Sequence, residues 1–177
     1  MLHGIDIEAV EVRLSGELAE CDGLIIPGGE STTIGKLLVR FELLQPVRER
    51  ATAGFPIYGT CAGAIILAKR VTGSGVDQPL VGVLDASIQR NAFGRQVDSF
   101  EANITMSVLG YQPYHAIFIR APVIQNVGPT VSVLGRLADD TIVAARQGNL
   151  LVTSFHPELT DDGRVHRYFS SIVEKPR

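Results

Sequence analysis

Tyr58-Gly59-Thr60-Cys61-Ala62-Gly63-Ala64 is the stretch from which the rest of the chain is read. Upstream of it, residues 55–58 are apolar and predict a brief strand. Downstream, residues 62–70 are rich in Ala, Ile and Leu and predict a helix. Strand, Gly-x-Cys-x-Gly turn and helix together match a nucleophile elbow in which Cys replaces Ser. The glycines have a physical reason. The nucleophile sits on a sharp, strained turn, and a side chain on either flank meets neighbouring backbone. Cys61 then lies at a helix N-terminus, where free N–H groups and the helix dipole favour a thiolate. The N–H of Ala62 faces the oxygen of a bound carbonyl, as half of an oxyanion hole. A buried structural cysteine on a tight turn is the competing reading of these residues alone.

A thiolate nucleophile needs a base that returns a proton to the leaving group. Of the four histidines, His3 is near the start, His115 opens an apolar strand and His166 lies on the last predicted helix. His156 differs, because it follows Leu150-Leu151-Val152-Thr153-Ser154-Phe155 and so sits where a strand ends. Catalytic groups of open α/β sheets cluster there. Pro157 stiffens the next step, and Glu158 is placed to reach back and orient the imidazole.

A third loop follows another buried strand. Gly23-Leu24-Ile25-Ile26-Pro27 runs into Gly28-Gly29-Glu30-Ser31, and Ser31 or Thr32 is the expected cap of a helix reaching about Leu44. A phosphate loop is the rival reading. It lacks the Gly-Lys-Ser/Thr ending, and Glu30 places a negative charge where phosphate would sit. The Gly29 N–H is therefore the expected second oxyanion donor, with Glu30 helping to hold an amino-acid substrate.

Short apolar runs alternating with helical patterns predict an α/β domain. Strands are expected over 7–12, 80–88, 99–107, 115–120, 131–137, 141–147 and 150–154, and a closing helix over 164–173. They predict a mixed, mostly parallel sheet, parallel at first with antiparallel additions later, flanked by helices. The 177 residues suggest one domain, 1–177, large enough to bury a core without staples. With 45% hydrophobic and 20% charged residues and a net charge of −3, the composition is that of an ordinary globular protein and makes nucleic acid an unfavoured partner. No apolar run approaches membrane length and no export signal is visible. Two cysteines fit a reducing, cytoplasmic setting and neither a disulfide scaffold nor a zinc site. No metal and no cofactor are expected.

Taken in order, these segments resemble the class I glutamine amidotransferases, whose glutaminase sites use a Cys-His-Glu triad. The resemblance sharpens at Pro27-Gly28-Gly29-Glu30-Ser31-Thr32-Thr33, Gly59-Thr60-Cys61-Ala62-Gly63, the stretch from Arg90 to Glu101, Phe118-Ile119-Arg120-Ala121-Pro122 and Ser154-Phe155-His156-Pro157-Glu158-Leu159-Thr160. There it is closest to the glutaminase subunits of pyridoxal 5′-phosphate synthase. It implies a three-layer α/β fold and hydrolysis of L-glutamine to glutamate and ammonia. It also implies docking on a (β/α)₈ synthase subunit in a large ring hetero-oligomer. Carried over by motif, Cys61 is the nucleophile, and His156 and Glu158 complete the triad. Gly29 and Ala62 line the oxyanion hole. Gly29, Glu30, Ser31, Arg90, Ile119 and Arg120 contact glutamine. Guanidinium groups such as those of Arg90 and Arg120 suit an α-carboxylate. The departure is at the start: the family's opening strand, its Gly-Leu-Gln-Gly type loop and most of a helix have no counterpart, which is expected to expose a sheet edge.

Overall fold

A computed structural model describes residues 7–73, 77–90 and 99–174 of the chain. The elements follow as α1 (Ser15–Ala19), β1 (Leu24–Ile26), α2 (Ser31–Arg40), α3 (Leu44–Thr52), β2 (Ile57–Thr60), α4 (Ala62–Leu67), β3 (Ala68–Thr72) and β4 (Leu84–Gln89). Then come β5 (Ser99–Ile104), β6 (Tyr114–Ile119), β7 (Val123–Gln125), β8 (Ser132–Arg136), β9 (Ile142–Gln147), β10 (Leu150–Thr153) and α5 (Arg164–Val173). Among the described residues, no helix is long and apolar enough to cross a membrane.

The main sheet has the order β1-β2-β10-β9-β7-β4-β3, with β8 added on β9. β1, β2 and β10 are parallel neighbours, as are β3 and β4. β9 pairs antiparallel with β10, β7 and β8, and β7 pairs antiparallel with β4. β5 and β6 form a separate antiparallel pair.

Side chains alternate across a strand, and the two faces of the sheet bury different clusters. Ile57, Leu150 and Val152 point to one core with Val47 of α3 and Ile65 and Ile66 of α4. Tyr58 and Leu151 point to the other, with Phe118 of β6 and Val165 and Phe169 of α5. Both faces of β2 and β10 are thus covered, and every residue of these two strands is buried. Gly63 lets α4 settle on β1, since a Cβ there would run into the Ile26 carbonyl oxygen.

Several expectations are corrected. Residues 7–13 form no strand, and no described strand hydrogen-bonds to them. The helix after Gly29 stops at Arg40 in a Schellman closure. Leu43 N–H donates to the Leu38 carbonyl (2.8 Å) and Glu42 N–H to that of Val39 (3.1 Å), with Glu42 left-handed at φ 55°. α3 then starts afresh. The helix over 62–70 ends at Leu67, because 68–72 is drawn into parallel pairing with β4. β7 and α1 have no counterpart among the expected elements, whereas α5 has the expected bounds. The Asn91–Asp98 part of the motif that begins at Arg90, and His3, lie outside the described residues.

Candidate active site

Three parallel neighbours end side by side: β1 delivers Gly28-Gly29-Glu30, β2 delivers Cys61 and β10 leads into His156. A cleft of about 240 Å³ opens there, lined by Gly29, Glu30, Ser31, Cys61, Ala62, Ile65, Arg90, Ile119, Arg120 and His156. Every residue expected at the site except Glu158 therefore meets around one space, and Glu158 stands behind His156.

Cys61 is 7% exposed and carries φ 48° and ψ −102°. This is a strained conformation for a residue with a Cβ, of the kind that persists at functional turns when the surroundings over-determine it. Its N–H is fixed by the Thr153 carbonyl at 2.8 Å, so β10 clamps the turn. Its Sγ lies 3.9 Å from the Ile119 carbonyl oxygen. Ala62 opens α4, where the first N–H groups lack intrahelical acceptors.

His156 Nδ1 is 2.7 Å from Glu158 Oε1, and the His156 N–H is held by the Ile117 carbonyl at 2.9 Å. The imidazole is pushed up to about 10. The first cause is hydrogen bonding toward the Cys61 sulfur and the second is the Glu158 carboxylate, both outweighing burial. Burial raises Glu158, but the His156 hydrogen bond brings it below its ordinary value. The ring thus stands between the Cys61 sulfur and the Glu158 carboxylate. Gly28 keeps this possible, since a Cβ there would run into His156 Cε1.

The Glu30 loop is built differently from expectation. Glu30 itself caps α2, not Ser31 or Thr32: its carboxylate accepts from Thr32 N–H (3.0 Å) and Thr33 N–H (2.7 Å). Burial opposes these bonds, yet they bring Glu30 down to about 2. A negative side chain at a helix N-terminus is favoured by the dipole as well. The same carboxylate accepts from Arg90 Nη2 at 3.1 Å. Its oxygens are thus engaged within the protein while the residue also lines the cleft. Arg90 Nη1 donates to Thr32 Oγ1 (3.3 Å) and to Gln78 Oε1 (3.2 Å). Gln78 was invisible to sequence reasoning. It sits in a loop without a motif, and only long-range contacts single it out. Arg120 stands just past β6 in a left-handed conformation at φ 43° and lines the cleft.

The SNO glutamine amidotransferase family model matches residues 2–175. The chain belongs to the SNO glutamine amidotransferase family. Among SNO-family relatives, it is 58% identical to pyridoxal 5′-phosphate synthase subunit PdxT of Herpetosiphon aurantiacus, over 97% of this chain and 91% of that one. It is 54% identical to the PdxT of Moorella thermoacetica, over 97% of this chain and 90% of that one. A crystal structure of a glutamine amidotransferase superposes with a TM-score of 0.91 at 49% identity, covering 98% of this chain and 90% of that one. The structure of PurLQS from Thermotoga maritima shares the fold, with a TM-score of 0.56 at 16% identity over 85% of this chain and 80% of that one. Among the described residues of this SNO-family chain, no group of three or more His, Cys, Asp or Glu side chains is arranged to hold a metal ion.

Proposed function

We propose that this chain is the glutaminase subunit of a pyridoxal 5′-phosphate synthase, acting as one domain over 1–177. It hydrolyses L-glutamine to L-glutamate and ammonia and passes the ammonia to a (β/α)₈ synthase subunit in a large ring hetero-oligomer in the cytoplasm. The observation that carries the reading is the Cys61, His156 and Glu158 relay at the ends of adjacent parallel strands. The names and identities of the PdxT relatives support the choice of acceptor enzyme.

The chemistry follows from the placement. Cys61 Sγ attacks the side-chain amide carbon of glutamine. The carbonyl oxygen becomes an oxyanion, which the N–H groups of Gly29 and Ala62 receive. His156, protonated and steadied by Glu158, gives its proton to the departing nitrogen, and ammonia leaves. The thioester that remains is opened by water, whose proton His156 takes. Glutamate departs as the thiolate–imidazolium pair is restored. Arg90 and Arg120 receive the α-carboxylate. Gly29, Glu30, Ser31 and Ile119 shape the walls around the amino-acid end, Glu30 chiefly by holding Arg90.

The test is ammonia release from glutamine with the synthase subunit present. Cys61→Ala is expected to reduce it to background, and release at the wild-type rate would end the triad reading. Labelling of Cys61 by a glutamine-like electrophile is the companion measurement. It separates an active protein from one that only binds its partner.

A further inference from the structure

Gln78 belongs to neither the nucleophile turn nor the cleft wall, yet it is 8% exposed and heavily engaged. Its Oε1 accepts from Ser31 Oγ at 3.0 Å, from Thr32 Oγ1 at 3.2 Å and from Arg90 Nη1 at 3.2 Å. These three donors come from two separate parts of the fold, the first turn of α2 and the residue after β4. Ser31 and Arg90 line the cleft. A single carbonyl oxygen thus ties one wall of the cleft to another. The amide orientation is fixed by chemistry, because a guanidinium has only donors and must meet the oxygen.

The other half of this amide points to a role beyond stability. Gln78 Nε2 is buried with no hydrogen-bond partner among the described residues. An unsatisfied buried donor costs free energy, and an apolar residue of the same shape removes that cost. A methionine would remove that cost but leave the Ser31, Thr32 and Arg90 donors without this acceptor. The part of the amide that is engaged is its carbonyl, and two of the donors it serves, Ser31 and Arg90, line the cleft.

We propose that Gln78 is a positioning residue for the amino-acid end of the substrate: its carbonyl oxygen locks the Arg90 fork in the orientation that receives the α-carboxylate, and by taking the Ser31 hydroxyl hydrogen it leaves that oxygen as an acceptor for the neighbouring ammonium. Arg90 has five N–H donors. Its Nη1 is turned inward by Thr32 and Gln78 and its Nη2 by Glu30. With the fork held on its inner side, the remaining donors face a ligand without first losing rotamer freedom. Without the Gln78 carbonyl, Arg90 keeps its Glu30 contact and the longer one to Thr32, and Nη1 is held less firmly.

The inference rests on the glutaminase reading, and the experiment keeps the two apart. Gln78→Met is assayed with the synthase subunit present, on glutamine and on 4-aminobutanamide, which lacks the α-carboxylate. The expected result is a KM for glutamine raised about tenfold with kcat within twofold, the pattern of lost uniform binding. The preference for glutamine over 4-aminobutanamide is expected to fall by a similar factor. In an Arg90→Met background, Gln78→Met is expected to add little, since it acts through the guanidinium. An unchanged KM, an equal loss on both substrates, or full additivity with Arg90→Met overturns the proposal. If Gln78→Met does not fold, Gln78→Asn, whose carbonyl falls short of Arg90, is expected to give the same split. An unchanged KM in Gln78→Asn overturns the proposal equally. A wild-type protein inactive on glutamine alongside its partner speaks against the glutaminase reading itself.

Discussion

His156 is where the chemistry is most exposed to measurement. Its raised value of about 10 depends first on Cys61, so the imidazole in Cys61→Ala is expected to titrate lower, toward 6.5, as read by NMR of the ring protons. A titration identical to wild type would show that sulfur and ring do not communicate. The sign for stability follows from linkage. A histidine whose folded value exceeds its unfolded value contributes stability fully present below about 6.5, and loses it as pH rises through about 10. Cys61→Ala should therefore flatten the alkaline fall of the melting temperature. Gly28 gives a second test. An alanine there meets His156 Cε1, and displacement of the ring by an ångström can cost about 100-fold in rate. Gly28→Ala is expected to lose activity on that order while still binding glutamine. Full activity in Gly28→Ala would show that the ring does not need its present position.

The loop from β1 into α2 carries its own energetics. Glu30 satisfies the N–H groups of Thr32 and Thr33, and removal of such a cap typically costs about 1 kcal/mol. Glu30→Ala is expected to lower stability by that amount in chemical denaturation, and to raise KM as well, because Arg90 loses an acceptor. Its carboxylate is depressed, so the stabilisation it gives is present above about 4.5 and lost as pH falls through about 2. α4 depends on close approach. Gly63→Ala puts a methyl group against the Ile26 carbonyl, and overpacking of this kind costs about 1–3 kcal/mol. A Gly63→Ala protein as stable as wild type would mean that β1 and α4 can separate freely.

Across the molecule, the second core cluster contains a titratable liability. His166 of α5 is 4% exposed, its ring packs edge-on against Tyr58 at 6.1 Å, and its Nδ1 has no hydrogen-bond partner among the described residues. Burial lowers its value, against an opposing pull from Glu158. A depressed histidine keeps its proton off in the folded state, so below about 6.5 the unfolded chain binds more protons and stability falls with pH. One proton sets the limit of that slope at about 1.4 kcal/mol per pH unit. His166→Phe is expected to make the fall between pH 6.5 and 5 shallower, measured by thermal melts. An unaltered slope would place the acid sensitivity elsewhere. α5 itself is tethered by Arg164, which is paired with Asp162 at 2.6 Å and donates to the Gln112 and Pro113 carbonyls at 2.8 and 3.0 Å. The helix that buries His166 is thereby fixed to the segment between β5 and β6.

The elbow at Cys61, the strand before His156 and the glycine loop before Glu30 could be read directly from sequence. In each, an apolar run stops at residues whose backbone or side-chain chemistry is local. That information fixed the α/β class, the candidate nucleophile and the order of the site segments. Sequence could not foresee that residues 68–72 leave their helix for β4, that Glu42 stops α2, or that 7–13 stays irregular. These outcomes depend on pairing partners and packing far along the chain. The cap at Glu30 and the link from Gln78 to Arg90 were hidden for the same reason. A carboxylate or amide has no preferred partner until folding orients the donors around it, and only then does it become a cap or a clamp.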